Sequence, residues 1–570
     1  MKIYVAQQNY HIGNFTLNRD KIIRAVEDGR KAGADLVVFS ELSVCGYPPR
    51  DFLEFEDFMQ QTEKTIQEIA QHSHGIGIIV GAPIPNPQPE GKDLLNAALL
   101  LYNGKVQGIV SKSLLPNYDV FDEYRYFEPA YSWNCIEFMG KKLAITICED
   151  IWNLGDNPLY RVCPMDELMK QKPDLMINVS ASPFDYDHDE DRKEVIRLNV
   201  KKYKLPMIYC NAVGAQTEIV FDGGSLVCAD NAVIAAELKY FEEDYLLVDT
   251  ENLTGKGDSA GATSHHQMTA DMRVAKTDDP DTIIAYLTKE NNIAQVKSAL
   301  VMGIRDYFSK MGFTKAILGS SGGIDSAVVL TLAVEALGKD NVTAVLMPSG
   351  FSSSHSVDDA VALSKKLGNP YHVVPIQPVY EAILGSLDPL FSGTAFGLAE
   401  ENIQSRSRGN ILMAIANKFG HVLLNTSNKS ELATGYGTLY GDMAGGLSVI
   451  GDLYKTQVYA LAQYLNSQEE IIPGNILTKA PSAELRPNQK DSDSLPEYDV
   501  LDRILYLYIE RRKGLADIIS DGFDEALVKR ALKLVNASEY KRNQFCPIIR
   551  VSTKAFGVGR RFPIVAKYIS

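Results

Sequence analysis

Apolar and polar positions along the 570-residue chain follow two rhythms. In the first half, short apolar runs alternate with polar turns. Lys2 to Gln8 predicts a strand, Leu17 to Ala32 an amphipathic helix, and Leu36 to Ser40 a buried strand ending at Glu41. Leu94 to Tyr102 and Lys105 to Lys112 flank Asn103-Gly104, a pair suited to a type I′ hairpin turn because both residues tolerate positive φ. Lys142 to Cys148 and Leu175 to Val179 are further apolar runs, stopping at Glu149-Asp150 and at Ser180-Ala181-Ser182-Pro183. Met207 to Val213 and Gly224 to Val227 add two more strands. The first unit, residues 1–250, is therefore a β-rich α/β body.

Between residues 251 and 292 the periodicity fades into Gly, Ser, Thr, His and Asp (GKGDSAGATSHHQ, then KTDDPD), which predicts a linker or covering segment. The second rhythm then occupies 293–570, a regular alternation of strand and helix. Lys315 to Leu318 leads through Gly319-Ser320-Ser321-Gly322-Gly323-Ile324-Asp325-Ser326 into a helix from Ala327 to Leu337. Val342 to Met347, Tyr371 to Pro375 and His421 to Leu424 are short strand candidates between helices, the pattern of a parallel sheet wrapped by helices. The two halves show no internal repeat.

Composition narrows the function. The chain is 45% hydrophobic and 23% charged with a net charge of −15, which suits large cores and argues against a general nucleic-acid binder. No apolar run is long enough to span a bilayer, and Met1-Lys2-Ile3-Tyr4-Val5 runs straight into strand-like sequence without a secretory leader. The expectation is a cytoplasmic enzyme with no membrane partner. Its seven cysteines stand singly, without a CxxC pair, as expected of reduced thiols and no structural zinc.

Three reactive side chains close three apolar runs: Glu41, Lys112 and Cys148. Strand ends in α/β cores are where loops open and ligands bind. A thiol that attacks an amide carbonyl, a carboxylate that takes its proton and an ammonium that steadies the oxyanion make a complete set. A buried core cysteine between two surface charges is the alternative reading of the residues alone.

The words around those residues, VVFSELSVCGYPPRD, SKSLLPNYDVFDEYRYF and ITICEDIW, resemble the nitrilase family of carbon–nitrogen hydrolases over about residues 1 to 250. The resemblance implies an α-β-β-α sandwich, with Glu41 as base, Lys112 as oxyanion support and Cys148 as the residue that forms a thioester. It suggests Glu123 as an additional acidic residue near the lysine. The glutamine-using branch further suggests Tyr118, Glu149 and Ser182 as substrate contacts. His188 stands where related sequences often carry Lys or Arg, and an imidazole offers the substrate carboxylate less charge. A loop histidine amid Asp185, Asp187 and Asp189 is the other reading.

The segment Ser320 to Ser326 follows a strand and opens a helix, the setting in which glycines and helix N–H groups cradle phosphate. It lacks the lysine of the Walker form. The SGGxDS string resembles the loop of the ATP pyrophosphatases, enzymes that cleave ATP to AMP and pyrophosphate. GLAEENIQSRSRGNILM, LNTSNKSELATGYGTLYGDMAGGLSVIGDLYKT, KAPSAELRPNQKDSDSLPEYDVLD and EYKRNQF resemble the NAD synthetases over the rest of the chain. By that resemblance Gly319 to Ser326, Thr426 and Lys455 hold ATP. Asn402, Arg406, Glu431 and Lys541 hold deamido-NAD. Asp325 and Glu431 bind the magnesium that accompanies ATP, and no tightly bound organic cofactor is implied.

Both halves taken in order resemble the glutamine-dependent NAD synthetases, in which glutamine supplies the ammonia that amidates deamido-NAD. Their precedent implies a tunnel between sites and a homo-oligomer, at least a dimer through the synthetase domains. Two other glutaminase–ATP fusions fit poorly. Asparagine synthetases use an N-terminal cysteine, where this chain has Lys2, and GMP synthetases use a Cys-His-Glu glutaminase, whereas His188 is the sole histidine between His74 and His265. A nitrilase-like half that only binds or caps is a third reading, against which the intact Glu41, Lys112 and Cys148 argue.

Overall fold

Alternating side chains along each strand of the first half enter two different cores, and this builds four layers. In the computed structural model Ile3, Val5, Leu36, Val38 and Ile79 pack against Leu143, Ile145, Ile147, Leu175, Ile177 and Val179 in one cluster. Val37, Ile78 and Val80 point the other way, onto Ile22, Val26, Ile66 and Ile69. Ala144 and Met176 likewise turn outward onto Ile196 and Val200. Strands apolar on both faces can only be covered on both faces, so two sheets meet face to face with helices outside. Each fully buried Ile or Leu contributes roughly 1.5–3 kcal/mol to this arrangement.

Described residues are 1–154, 159–186, 188–254, 277–352, 354–482, 484–486 and 489–568. They form two compact units, Met1–Ala270 and Asp271–Ser570. In the first unit one six-stranded sheet has the order Asp244–Asp249, Lys2–Gln7, Leu36–Val38, Gly77–Pro85, Leu94–Tyr102, Lys105–Ser111. The other runs Ile234–Glu237, Leu226–Cys228, Met207–Asn211, Leu175–Ser180, Lys141–Ile147, Ile136–Phe138. The expected α-β-β-α sandwich is present. Lys141–Ile147, Leu175–Ser180 and Met207–Asn211 are parallel, so their carboxyl ends share an edge. Lys2–Gln7, Leu36–Val38 and Gly77–Pro85 are parallel in the facing sheet.

The Asn103-Gly104 turn has φ of +51° and +78°, the positive values a type I′ turn needs. Gly77–Pro85 and Asp244–Asp249 are strands the apolar pattern does not announce. The first carries two glycines and two prolines, and the second lies at a sheet edge with polar residues at both ends. Gly81 has a specific reason: a Cβ there would lie 2.2 Å from the Leu42 nitrogen and 2.8 Å from the Glu41 carbonyl carbon.

The second unit holds a five-stranded parallel sheet, ordered Tyr371–Val373, Val342–Leu346, Ala316–Gly319, Val422–Asn425, Leu447–Ser448. The chain moves outward in one direction from Ala316–Gly319 and then returns to its other side with Val422–Asn425. That reversal opens a crevice beyond the carboxyl ends of these two strands, where ligands of open parallel sheets bind.

Of the stretch 251–292, the GKGDSAGATSHHQ segment lies outside the described residues. Nearer its end Ile283–Leu287 is helical, with Tyr286 buried beside Tyr506 at 5.8 Å. Its apolar residues IIAYL cover the helical layer of the second unit, a packing role that a five-residue run between polar stretches does not advertise.

Candidate active sites

The first site begins where strands end. Glu41 lies three residues beyond Leu36–Val38, Lys112 one beyond Lys105–Ser111, and Cys148 one beyond Lys141–Ile147. They are 1%, 1% and 5% exposed, so their charges are set by one another rather than by water. Lys112 Nζ donates to Glu41 Oε1 at 2.8 Å and to Glu123 Oε1 at 2.8 Å. Glu41 is held further by Asn96 Nδ2 at 2.7 Å on Oε1 and by the Ala181 amide at 3.0 Å on Oε2. Tyr47 donates to Glu123 at 2.8 Å.

Burial works against the Lys112 ammonium, but Glu123, Glu41 and the Cys148 sulfur outweigh it and hold the lysine well above its ordinary range. Glu123 is pushed up to about 7 by burial, with Lys112 opposing and Glu41 adding. Burial first, then Glu41, raises the Cys148 thiol well above normal, with Lys112 countering. The sulfur rests as a thiol and needs a base to be deprotonated as it attacks.

Cys148 has φ of +44°, a left-handed conformation unusual for a side-chain-bearing residue, at the start of the 3-10 turn Cys148–Ile151. Asp150 fixes this corner. Its carboxylate accepts from the amides of Ser113 at 3.0 Å, Leu114 at 2.9 Å and Ile147 at 3.0 Å, tying the loop after Lys112 to the turn of Cys148.

The expected substrate contacts form two pairs, and Glu149 with Tyr118 lies within electrostatic reach of the sulfur. Glu149, 7% exposed, accepts from Tyr118 at 2.9 and 3.0 Å on its two oxygens. Ser182 Oγ lies 2.8 Å from His188 Nε2, and the Ser182 amide donates to Asn211 at 2.9 Å. His188 opens the helix His188–Tyr203 and stacks on Trp152, ring centroids 5.0 Å apart. The histidine is thus built into the same wall as Ser182.

The second site lies at the switch point of the parallel sheet. The loop after Ala316–Gly319 enters Ile324–Leu337, whose N-terminus has no side-chain cap. That leaves first-turn N–H groups for an anion. Ser326 Oγ accepts from the Ser321 amide at 3.2 Å, and Ser321 Oγ accepts from the Gly323 amide at 3.2 Å, holding the loop's curve. Gly322 has φ of +75°, and a Cβ there would sit 2.1 Å from the Ser356 carbonyl oxygen, so only glycine fits. Thr426, half-buried, follows the neighbouring strand Val422–Asn425.

Asp325, in the first helical turn, accepts from Asn428 at 2.9 Å and pairs with Lys455 at 2.5 Å. Glu431 lies 3.8 Å from the same lysine. Burial and the Asp325 charge push Glu431 well up despite Lys455. Lys455, expected on ATP phosphates, is placed between the two carboxylates. Among the described residues no group of three or more His, Cys, Asp or Glu side chains is arranged to hold a metal. Two crowded carboxylates beside a phosphate cradle nevertheless suit magnesium, which takes one or two protein carboxylates and completes its shell with phosphate oxygens and water.

Three expected dinucleotide contacts converge on residues 435–439. Asn402 accepts from Thr438 at 2.8 Å, Arg406 donates to the Leu439 carbonyl at 3.2 Å, and Lys541 donates to the carbonyls of Gly435 and Gly437, both at 2.7 Å. This loop follows directly on the helix Lys429–Thr434 that carries Glu431.

Asn96, Tyr47, Asp150, Tyr160 and Asn428 were not foreseen. Asn96 left a signal, a lone amide inside the apolar run LLNAALLLY, where burial demands a partner. Asp150 and Tyr160 left none, because each acts through a fold-dependent contact.

Residues 2–255 match the carbon-nitrogen hydrolase family and residues 296–545 match the NAD synthase family. A glutamine-dependent NAD(+) synthetase from Synechocystis is 44% identical, covering 99% of each chain. One from Thermotoga maritima is 40% identical over 100% of this chain and 99% of that one. The solved glutamine-dependent NAD+ synthetase of Acinetobacter baumannii, in complex with adenosine diphosphate, is 35% identical with a TM-score of 0.73 over 99% and 98% of the two chains.

Proposed function

As this chain belongs to the glutamine-dependent NAD(+) synthetases, we propose that it performs both reactions of that family with the residues described above. It hydrolyses glutamine to glutamate and ammonia and uses ATP to amidate deamido-NAD to NAD, releasing AMP and pyrophosphate. This is the final step of NAD biosynthesis. The observation that carries the reading is the buried Glu41–Lys112 pair at 2.8 Å beside the Cys148 turn, together with the glycine-rich loop at the switch point of the second sheet.

Glutamine's amide carbonyl accepts the Cys148 sulfur while Glu41 takes the thiol proton. Lys112 is placed to steady the oxygen that gains charge. Ammonia departs with the proton from Glu41, leaving a thioester. Water, deprotonated by Glu41, then displaces the sulfur and frees glutamate. Glu149 with Tyr118 receives the substrate's α-ammonium end, and Ser182 with His188 its α-carboxylate end.

In the second site the nicotinate carboxylate of deamido-NAD attacks the α-phosphorus of ATP, and ammonia then displaces AMP from the adenylate. The Gly319 to Ser326 loop and Thr426 hold ATP, with Lys455 balancing the carboxylates beside its phosphates. Asn402, Arg406, Glu431 and Lys541 hold deamido-NAD. Asp325 and Glu431 would hold magnesium, which neutralises charge as pyrophosphate leaves.

The functional domains are residues 1–250 and 293–570, joined through 251–292. A homo-oligomer paired through synthetase domains is supported by exposed apolar side chains, Leu390 at 77% and Leu398 at 72%. Cytoplasmic residence is supported by the free state of all seven cysteines, Cys45 to Cys546.

The test is Cys148→Ala assayed with each nitrogen source. Glutamine hydrolysis and glutamine-driven NAD formation fall by several orders of magnitude, the scale of losing a nucleophile. Synthesis with high ammonium persists. Retained glutamine-driven synthesis overturns the assignment of the thiol.

A further inference from the structure

Glu149 has a second phenol partner that neither motif spacing nor the catalytic trio explains. Tyr160 OH donates to Glu149 Oε1 at 3.2 Å. The backbone at Tyr160 is fastened by one side chain. Asn153 Nδ2 donates to the carbonyls of Tyr160 at 2.8 Å and Val162 at 2.7 Å, and Asn153 Oδ1 accepts from the Tyr160 amide at 3.0 Å. Asn153 is buried, so these bonds are its own satisfaction as well as the loop's.

The acceptor arithmetic gives this contact a meaning. A carboxylate offers about four lone-pair positions, two on each oxygen. Tyr118 and Tyr160 both use Oε1, and Tyr118 also touches Oε2. Each phenol has one proton to give, so the two donors take two of the four positions and leave two open. Both donors are neutral phenols, so they orient the carboxylate without cancelling its charge. An arginine or lysine in either place would satisfy Glu149 and remove its attraction for a cation. We propose that Tyr160, held by Asn153, is a specificity-determining positioning residue: with Tyr118 it orients the Glu149 carboxylate and leaves acceptor positions on it for the α-ammonium of glutamine, so the site selects α-amino acid amides over simple amides. This rests on the reading of Glu149 as the ammonium receptor and adds the groups that tune it.

The consequence is a selective penalty. An amide lacking the α-amino group leaves Glu149 buried without its cationic partner, and unsatisfied buried charge is costly. The test compares L-glutamine with 4-carbamoylbutanoate, which is glutamine without its amino group, in the full-length enzyme. Tyr160→Phe raises KM for glutamine roughly threefold to tenfold, about the net worth of one ordinary hydrogen bond. It changes kcat less than twofold and leaves kcat/KM for 4-carbamoylbutanoate unaltered. Asn153→Ala, which frees the backbone but keeps the hydroxyl, gives the same substrate-selective pattern. Glu149→Gln distinguishes the two layers of the argument. If it leaves KM for glutamine unchanged, Glu149 is not the receptor and the underlying reading fails. If it raises KM while Tyr160→Phe does nothing, or if Tyr160→Phe weakens both substrates alike, the assignment of Tyr160 is overturned.

Discussion

Lys112 Nζ sits 2.8 Å from Glu123 Oε1, as near as it sits to Glu41 Oε1. A buried ammonium between two carboxylates leaves an excess negative charge, and the structure resolves it by raising the affinity of Glu123 for a proton. Lys112 thereby has a second anchor besides Glu41.

This predicts a pH-dependent stability for the wild-type first unit relative to Glu123→Gln. In the folded chain Glu123 takes its proton near pH 7, whereas an unfolded glutamate waits until about 4.5. A raised folded-state value means that the stabilisation is fully present below about 4.5 and is lost as pH rises through about 7. The wild type therefore gains on the variant between pH 8 and pH 5. Urea midpoints read by tryptophan fluorescence suit the measurement, since Trp133 and Trp152 are the chain's two tryptophans and both lie in this unit. A difference independent of pH would show that Glu123 is ionised throughout. The same variant loosens Lys112 and lowers kcat for glutamine roughly tenfold, about the worth of one charge-assisted hydrogen bond.

In the second unit Asp325→Asn and Glu431→Gln remove the carboxylates that flank Lys455. Each lowers NAD formation on the order of a hundredfold or more, the scale of several kcal/mol of phosphate charge neutralisation. The loss is the same with ammonium as with glutamine, while uncoupled glutamine hydrolysis by the other site continues. An Asp325→Asn enzyme that made NAD normally from ammonium would remove this loop from the ATP site.

Gly81→Ala separates packing from chemistry. The new methyl would lie 2.2 Å from the Leu42 nitrogen and 2.8 Å from the Glu41 carbonyl carbon, so the strand Gly77–Pro85 or the Glu41-Leu42 backbone must move. The expected cost is roughly 1–3 kcal/mol of stability in the first unit. Because the crowded backbone carries Glu41, glutamine hydrolysis falls further than stability alone predicts, measured at a temperature where the variant stays folded. Wild-type hydrolysis would mean that Glu41 tolerates displacement.

Much of this was legible in the sequence for a physical reason. Strands buried on both faces read as continuous apolar runs, so Leu36 to Ser40, Lys142 to Cys148 and Leu175 to Val179 announced themselves together with the residues that end them. The phosphate loop was legible because only glycine admits the backbone approach at Gly322. Positions such as Tyr160 and Asp150 were silent, since their roles depend on loops returning from elsewhere in the chain. Lys455 shows the other limit. Its burial between Asp325 and Glu431 cannot be read from a lysine that spacing alone would place on a helix end.

The alternation of each strand between two cores sets a rule for how this scaffold can change length. Inserting or deleting one residue in Lys141–Ile147 would trade every inward side chain for an outward one and swing Cys148 to the opposite face. The strands bearing Glu41, Lys112 and Cys148 are therefore frozen in length to the single residue. The connections between strands carry no such parity, so the chain is free to vary there, and Tyr160 stands on one of them, between Lys141–Ile147 and Leu175–Ser180. New substrate preferences in this architecture are expected to arise by lengthening loops around an unaltered catalytic trio.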